Sequence, residues 1–141
     1  MADRKATAVW EGDLKTGKGT MRFADYEGQY SWSSRFEEGV GTNPEELLAG
    51  AHAGCFAMSV SSGLTKAGYT AKTIETTAHI ALRRIEGKSR IVSSHLVIKA
   101  IVPGISDDEF QAIAQESSDN CPVSVALAGI EITHEAELVE R

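Results

Sequence analysis

Several features that would point quickly to a function are missing from this 141-residue sequence. No stretch gathers Lys and Arg into a basic stripe, and 20 Asp and Glu against 14 Lys and Arg leave a formal net charge of -6. Such a surface repels a phosphate backbone and an anionic bilayer, so neither nucleic acid nor membrane is expected as a partner. The start of the chain, Met1-Ala2-Asp3-Arg4-Lys5, is polar and runs into Val9 and Trp10 without the apolar stretch of a secretory signal. Cytoplasmic residence is therefore expected. The long uncharged run from Leu47 to Thr65 holds Gly50, His52, Gly54, Ser59, Ser61, Ser62 and Gly63, and reads as buried, not membrane-spanning. Repeats, low-complexity tracts and interdomain linkers are absent, which leaves one domain over residues 1–141 as the expectation. There are only two cysteines, and they do not form a Cys-x-x-Cys motif, which disfavours a dithiol oxidoreductase acting on protein disulfides. In a reducing compartment two thiols make a poor permanent staple, so pairing between them would be transient and chemical.

What is present reads as a mixed fold. An apolar fraction of 42% and a charged fraction of 24% are ordinary for a folded soluble domain. Thr7, Val9 and Trp10, then Thr20, Met21 and Phe23, then Tyr30 and Trp32 form three β-prone runs separated by Gly12, Gly17 and Gly28, the pattern of an antiparallel meander. The segment Gly12 to Lys18 matches most of a phosphate-binding loop. However, position 19 is Gly where a Ser or Thr would hold magnesium, and strand-like residues follow instead of a helix, so a hairpin is expected. Phe36 to Thr42 reads as a loop. Asn43 then caps a helix that opens with Pro44, Glu45 and Glu46 and stops before Gly68. Alternation through Ile74, Thr76, Ala78, Ile80 and Leu82, then Val92, Leu96, Ile98 and Ala100, gives a long hairpin. Ser106-Asp107-Asp108-Glu109 opens a second helix carrying Phe110, Ile113 and Ala114, Asn120-Cys121-Pro122 starts a helical turn, and Ile130 to Val139 closes as a strand. The class is α+β. The central helix is small or apolar on nearly all faces, more than one sheet can cover, and so argues for a homodimer in which two such helices bury each other.

The chemistry concentrates on sulfur. Cys55, in Ala53-Gly54-Cys55-Phe56-Ala57, could be a small core residue or a reactive thiol. Cys121 precedes Pro122 at a helix start, where backbone N–H groups can hold a thiolate. A thiol with an ordinary pKa near about 8.5 is mostly protonated at neutral pH, so a nucleophilic role needs a cation beside the sulfur. Arg35, between Trp32 and Phe36, is the best placed by context, although an arginine beside aromatic residues can equally be a solvated surface group. The four histidines show no ligand spacing, so no metal is expected. His52, three residues before Cys55, reads as a surface or interface residue that could tune it.

Two stretches carry a resemblance. Arg35-Phe36-Glu37-Glu38-Gly39-Val40-Gly41-Thr42-Asn43-Pro44-Glu45-Glu46-Leu47-Leu48-Ala49-Gly50-Ala51-His52-Ala53-Gly54-Cys55-Phe56 and Cys121-Pro122-Val123-Ser124 resemble the osmotically induced and organic-hydroperoxide-resistance proteins, the OsmC/Ohr family. The similarity extends from Trp10-Glu11-Gly12-Asp13 to the closing strand, and the Ala-His-Ala-Gly-Cys-Phe form looks like the osmotically induced branch. The resemblance implies an OsmC-like fold forming an intertwined homodimer, and a stress-response peroxidase with no metal or organic cofactor. The resemblance further implies a preference for organic hydroperoxides over hydrogen peroxide and recycling by an external thiol reductant such as a lipoylated protein or small dithiol. By motif, Cys55 corresponds to the peroxidatic cysteine, Cys121 to the resolving cysteine, Arg35 to the activating arginine and Glu45 to its carboxylate partner. Phe56, Met58 and Leu48 would then help to admit an alkyl tail.

Helix geometry adds one expectation. Glu45 and Cys55 are ten residues apart, about 15 Å along a straight helix, so Glu45 cannot easily touch Cys55 within one chain. Either Arg35 bridges the gap, or Arg35 and Glu45 serve the Cys55 of a partner chain, which is the preferred arrangement. The main rival is an apolar-ligand carrier in which the cysteines are incidental.

Overall fold

The computed structural model describes residues 3–140, so Met1 and Ala2 of the polar start lie outside the described residues, as does Arg141. The chain divides into two units, residues 1–47 and 48–141. In the first, the expected meander forms from β1 (Thr7–Glu11), β2 (Lys18–Phe23) and β3 (Tyr26–Tyr30), antiparallel and in the order β1-β2-β3. The segment that mimics a phosphate loop is the β1–β2 turn. The Asp13 carboxylate accepts hydrogen bonds from the Thr16 N–H at 2.7 Å and the Thr16 hydroxyl at 2.6 Å, and so closes the turn on itself.

Two expectations in this unit are corrected. Gly28 does not separate strands but lies inside β3 opposite Met21, where any Cβ would strike the ring of Tyr26. The reversal is made by Ala24-Asp25, with Ala24 in the left-handed region at φ 50°, and is flanked by Phe23 and Tyr26 stacked at 4.8 Å between ring centroids. Trp32 is not in a strand either. Ser31 caps a short helix, α1 (Trp32–Phe36), in a reciprocal box in which the Ser31 hydroxyl accepts from the Ser34 N–H and the Ser34 hydroxyl accepts from the Ser31 N–H. That local capping outweighs the β preference of Trp32.

The long helix α2 (Pro44–Lys66) starts in the first unit and continues in the second. Its ends are as expected. The Asn43 side chain accepts from the Glu46 N–H at 2.8 Å. At the other end Gly68 takes φ 92°, with the Tyr69 N–H donating to the Leu64 carbonyl and the Gly68 N–H to the Thr65 carbonyl, a paired closure that needs a left-handed residue.

The second unit holds a sheet of β4 (Thr73–Ile85), β5 (Lys88–Ile101) and β6 (Glu131–Glu140), with β5 in the centre. Glu86 and Gly87, both at positive φ, make the tight turn between β4 and β5. β6 runs parallel to β5 and is reached through α3 (Asp107–Asn120) and α4 (Pro122–Ala126). From Ser94 to Ala100 every second residue of β5 faces inward. Leu96, Ile98 and Ala100 meet Phe56, Val60 and Leu64 of α2, with Phe110 of α3 and Cys121 completing the core.

α2 is thus buried along one stripe only. Gly50, Ala51, Gly54 and Met58 on its other side are exposed, Met58 by 76%, so within a single chain the helix is not buried all round as expected. By length and composition alone it could cross a membrane, yet its buried stripe is one face of a folded core. Phe56 and Met58, expected together around an alkyl tail, point to opposite sides, because two residues along a helix are about 200° apart. Since Leu96 is fully buried at the centre of this packing, Leu96→Ala is expected to cost about 3 kcal/mol, measured by urea unfolding followed by circular dichroism.

Candidate active site

The first unit brings Arg35 and Glu45 together. The α1–α2 connection folds back so that the Asn43 amide donates to the Ser34 carbonyl at 3.0 Å, while the Ser34 hydroxyl donates to the Thr42 carbonyl at 2.7 Å. Gly41 makes the fold-back possible. It sits at φ 119°, against the Gln29 carbonyl, and the Thr42 N–H donates to that same carbonyl. With residues 34 and 43 tied side by side, Arg35, one residue on, meets Glu45, two residues on. Arg35 Nε donates to Glu45 Oε1 at 3.0 Å and Nη2 to Oε2 at 2.9 Å, a two-pronged charge-assisted contact. Glu45 is buried, whereas the Arg35 side chain keeps 36% of its surface exposed.

The second unit brings the two cysteines together. Cys55 is half-buried on α2, and Cys121, fully buried, stands at the junction of α3 and α4; both thiols are free. The Sγ of Cys121 caps α4, accepting from the Ser124 N–H at 3.4 Å, the role that a Ser or Asp oxygen usually takes. Burial pushes the Cys55 thiol above its ordinary value. The Val123 N–H beside it works in the opposite direction, while the Cys121 side chain adds to the rise by hydrogen bonding and by charge. The two sulfurs therefore lie within each other's influence.

The expectation for His52 is corrected. It is neither a surface nor an interface residue but fully buried, and burial lowers its pKa, so the ring is neutral at neutral pH. Nδ1 lies 2.6 Å from the Ser94 hydroxyl and Nε2 lies 2.8 Å from the Ser124 hydroxyl. Ser124 Oγ is in turn 3.1 Å from Cys121 Sγ. Ser94 escaped the sequence reading, although the signal was available. It occupies the inward position of β5 that precedes Leu96, Ile98 and Ala100, a lone polar residue in an apolar alternation. Of the remaining histidines, His79 and His95 stack on the sheet at 6.3 Å, His95 pairs with Glu135 at 2.6 Å, and the His134 ring lies 6.5 Å from that of Phe56.

An α+β architecture with two close, unpaired thiols beside a buried polar chain is that of a thiol-based redox protein. The family model described as OsmC-like protein matches residues 37–135. The chain is 41% identical over 138 residues to proteins named Peroxiredoxin OsmC from Escherichia coli strain K12 and from Shigella flexneri, covering 96% of this chain and 96% of each relative. This chain belongs to the OsmC family. Among solved structures, an OsmC-like protein of unknown function from Vibrio cholerae superposes with a TM-score of 0.78 at 17% identity, over 96% of this chain and 99% of that one. The organic hydroperoxide resistance protein OhrB of Bacillus subtilis gives 0.73 at 20% identity, over 94% and 97%. At these identities the two structures establish the OsmC/Ohr fold.

Because the Cys121 side chain helps to hold the Cys55 thiol up, Cys121→Ala is expected to shift the pH midpoint of Cys55 alkylation downward. Iodoacetamide labelling across a pH series, read on the Cys55 peptide by mass spectrometry, checks the sign. An unchanged or raised midpoint contradicts the assigned cause.

Proposed function

We propose that this chain is a thiol peroxidase that reduces organic hydroperoxides, and the observation that carries the reading is the close approach of the Cys55 and Cys121 thiols in one unit. The Cys55 thiolate attacks one peroxide oxygen, the O–O bond breaks, the alcohol leaves, and Cys55 becomes a sulfenic acid. Cys121 then displaces the hydroxyl, giving a Cys55–Cys121 disulfide and water, and an external thiol reductant, a lipoylated protein or small dithiol, restores both thiols. Cys121 is the resolving partner because it is fully buried, whereas Cys55 is only half-buried and so the more accessible to substrate. Arg35 holds the attacking thiolate, and Glu45 orients the guanidinium through the two-pronged contact. No resident metal or organic cofactor is required by this chemistry. The name Peroxiredoxin OsmC, carried by the 41% identical relatives, supports the reading.

The working form we infer is a cytoplasmic homodimer acting away from nucleic acid and membranes. A second copy would cover the exposed Gly50, Ala51, Gly54 and Met58 side of α2, and Arg35 and Glu45 of one chain would serve Cys55 of the other.

Adding cumene hydroperoxide to the reduced protein is expected to consume both thiols and yield one intramolecular disulfide; unchanged thiols would favour an apolar-ligand carrier. Cys55→Ser abolishes consumption, while Cys121→Ser keeps the first turnover and accumulates sulfenic acid. Light scattering should report twice the 15.1 kDa chain mass, and a monomer at micromolar concentration rejects the dimer. In mixtures of Cys55→Ser and Glu45→Ala chains, activity should exceed that of either parent, and failure to recover rejects a site shared between chains.

A further inference from the structure

We infer that the buried chain Ser94–His52–Ser124 is a proton path for the resolving cysteine, in which Ser124 takes the Cys121 proton and passes its own to His52, whose ring Ser94 orients. The inference rests on the resolving role proposed for Cys121. Four side chains from three parts of the unit converge here: His52 from α2, Ser94 from β5, and Cys121 and Ser124 at the start of α4. Cys121, His52 and Ser94 are fully buried and Ser124 is 4% exposed, so bulk water is a poor acceptor for the Cys121 proton.

The three contacts form one continuous line. Cys121 Sγ to Ser124 Oγ is 3.1 Å, Ser124 Oγ to His52 Nε2 is 2.8 Å, and His52 Nδ1 to Ser94 Oγ is 2.6 Å. With the ring proton on Nδ1, held by Ser94, the Nε2 lone pair accepts from the Ser124 hydroxyl. That hydroxyl then has its oxygen turned to accept from the Cys121 S–H. A single concerted shift moves one proton from Sγ to Oγ and another from Oγ to Nε2. The thiolate left behind is held by the Ser124 N–H at 3.4 Å and by the reversed Ser124 hydroxyl. The resolving step is then balanced. The Cys121 sulfur forms the S–S bond as the Cys55 S–O bond breaks, hydroxide leaves Cys55 and takes up one proton, and Cys121 has released one, with no further oxidant or reductant.

Nothing in this path touches the peroxide. Ser124, which touches the Cys121 sulfur, is therefore a catalytic residue for disulfide formation, and His52 acts through it as the base that receives the second proton. A purely structural knot would behave differently: loosening it would impair both chemical steps together, or only lower stability.

The experiment separates the two steps by stopped flow with a stoichiometric pulse of cumene hydroperoxide. Formation of the Cys55 sulfenic acid is followed by dimedone trapping, and disulfide formation by non-reducing mass analysis. His52→Phe and Ser124→Ala are each expected to slow disulfide formation on the order of 100-fold, the range of positioned proton transfer, and to leave sulfenic acid formation within about twofold. Ser124→Thr, which keeps a hydroxyl, should restore the rate. Should His52→Phe fail to fold, Ser94→Ala removes only the Nδ1 partner and should slow the same step. Unchanged disulfide formation in Ser124→Ala, or equal loss of both steps, overturns the path. If the parent protein forms no Cys55 sulfenic acid, the peroxidase reading itself fails, an outcome distinct from either.

Discussion

The placement of one helix against one strand governs the second unit. α2 offers His52, Phe56, Val60 and Leu64, a stripe stepping every four residues, and β5 offers Ser94, Leu96, Ile98 and Ala100, stepping every two. The polar member stands first in each series, and the two are bonded to each other. A buried imidazole left without partners would cost about 1–3 kcal/mol, so the hydroxyls of Ser94 and Ser124 are what make His52 compatible with a fully enclosed position. The same registration sets Cys55. It directly precedes Phe56, at the edge of the stripe, and is for that reason half-buried and packed against the core that holds Cys121. Rotation of α2 by one residue would carry the thiol either into the core or onto the exposed side with Gly54.

This placement sets a chemical conflict that the surroundings only partly relieve. Burial favours the protonated thiol, whereas attack on a peroxide needs the thiolate. The Val123 N–H counters burial through a directed dipole that adds no net charge. In the proposed mechanism Arg35 would answer the same need in a different way. Its guanidinium has five N–H donors in a planar fork, of which Glu45 takes two. The carboxylate cancels much of the arginine's net charge, so what the pair would offer a thiolate is the donors that remain and the fixed plane that carries them.

Much of this was legible in the sequence because it is written locally. The ends of α2, the Glu86-Gly87 turn and the Cys121 turn each follow from a capping or turn residue whose effect spans a few positions. The errors fell where a local signal ran against the usual preference. Ala24 occupies a conformation normally left to Gly, Gly28 sits in a strand because Tyr26 leaves no room for a side chain, and Trp32 yields its β preference to the Ser31–Ser34 box. The Arg35–Glu45 contact was expected from the motif, but its cause lies in Ser34, Asn43 and Gly41, three residues that carry no chemistry themselves. His52 was misread for another reason. Its burial depends on two hydroxyls 42 and 72 positions away, and no periodicity within α2 reveals partners at that distance.

The residues around Cys121 are neutral for a physical reason. A carboxylate could accept a thiol proton more readily than a serine–histidine pair, but its standing negative charge would lie near Cys55 and push that thiol further from ionisation. A lysine or protonated histidine would carry a desolvation cost in the same enclosed space. A hydroxyl backed by a neutral imidazole avoids the first difficulty and meets the second only while the proton is in transit on the ring. It adds no charge while the thiols are reduced, and its bonds can reverse direction without moving a heavy atom when a proton must pass. The neutral chain Ser94–His52–Ser124 thus satisfies, with one set of contacts, the burial of the helix that carries Cys55 and the proton chemistry of the cysteine beside it.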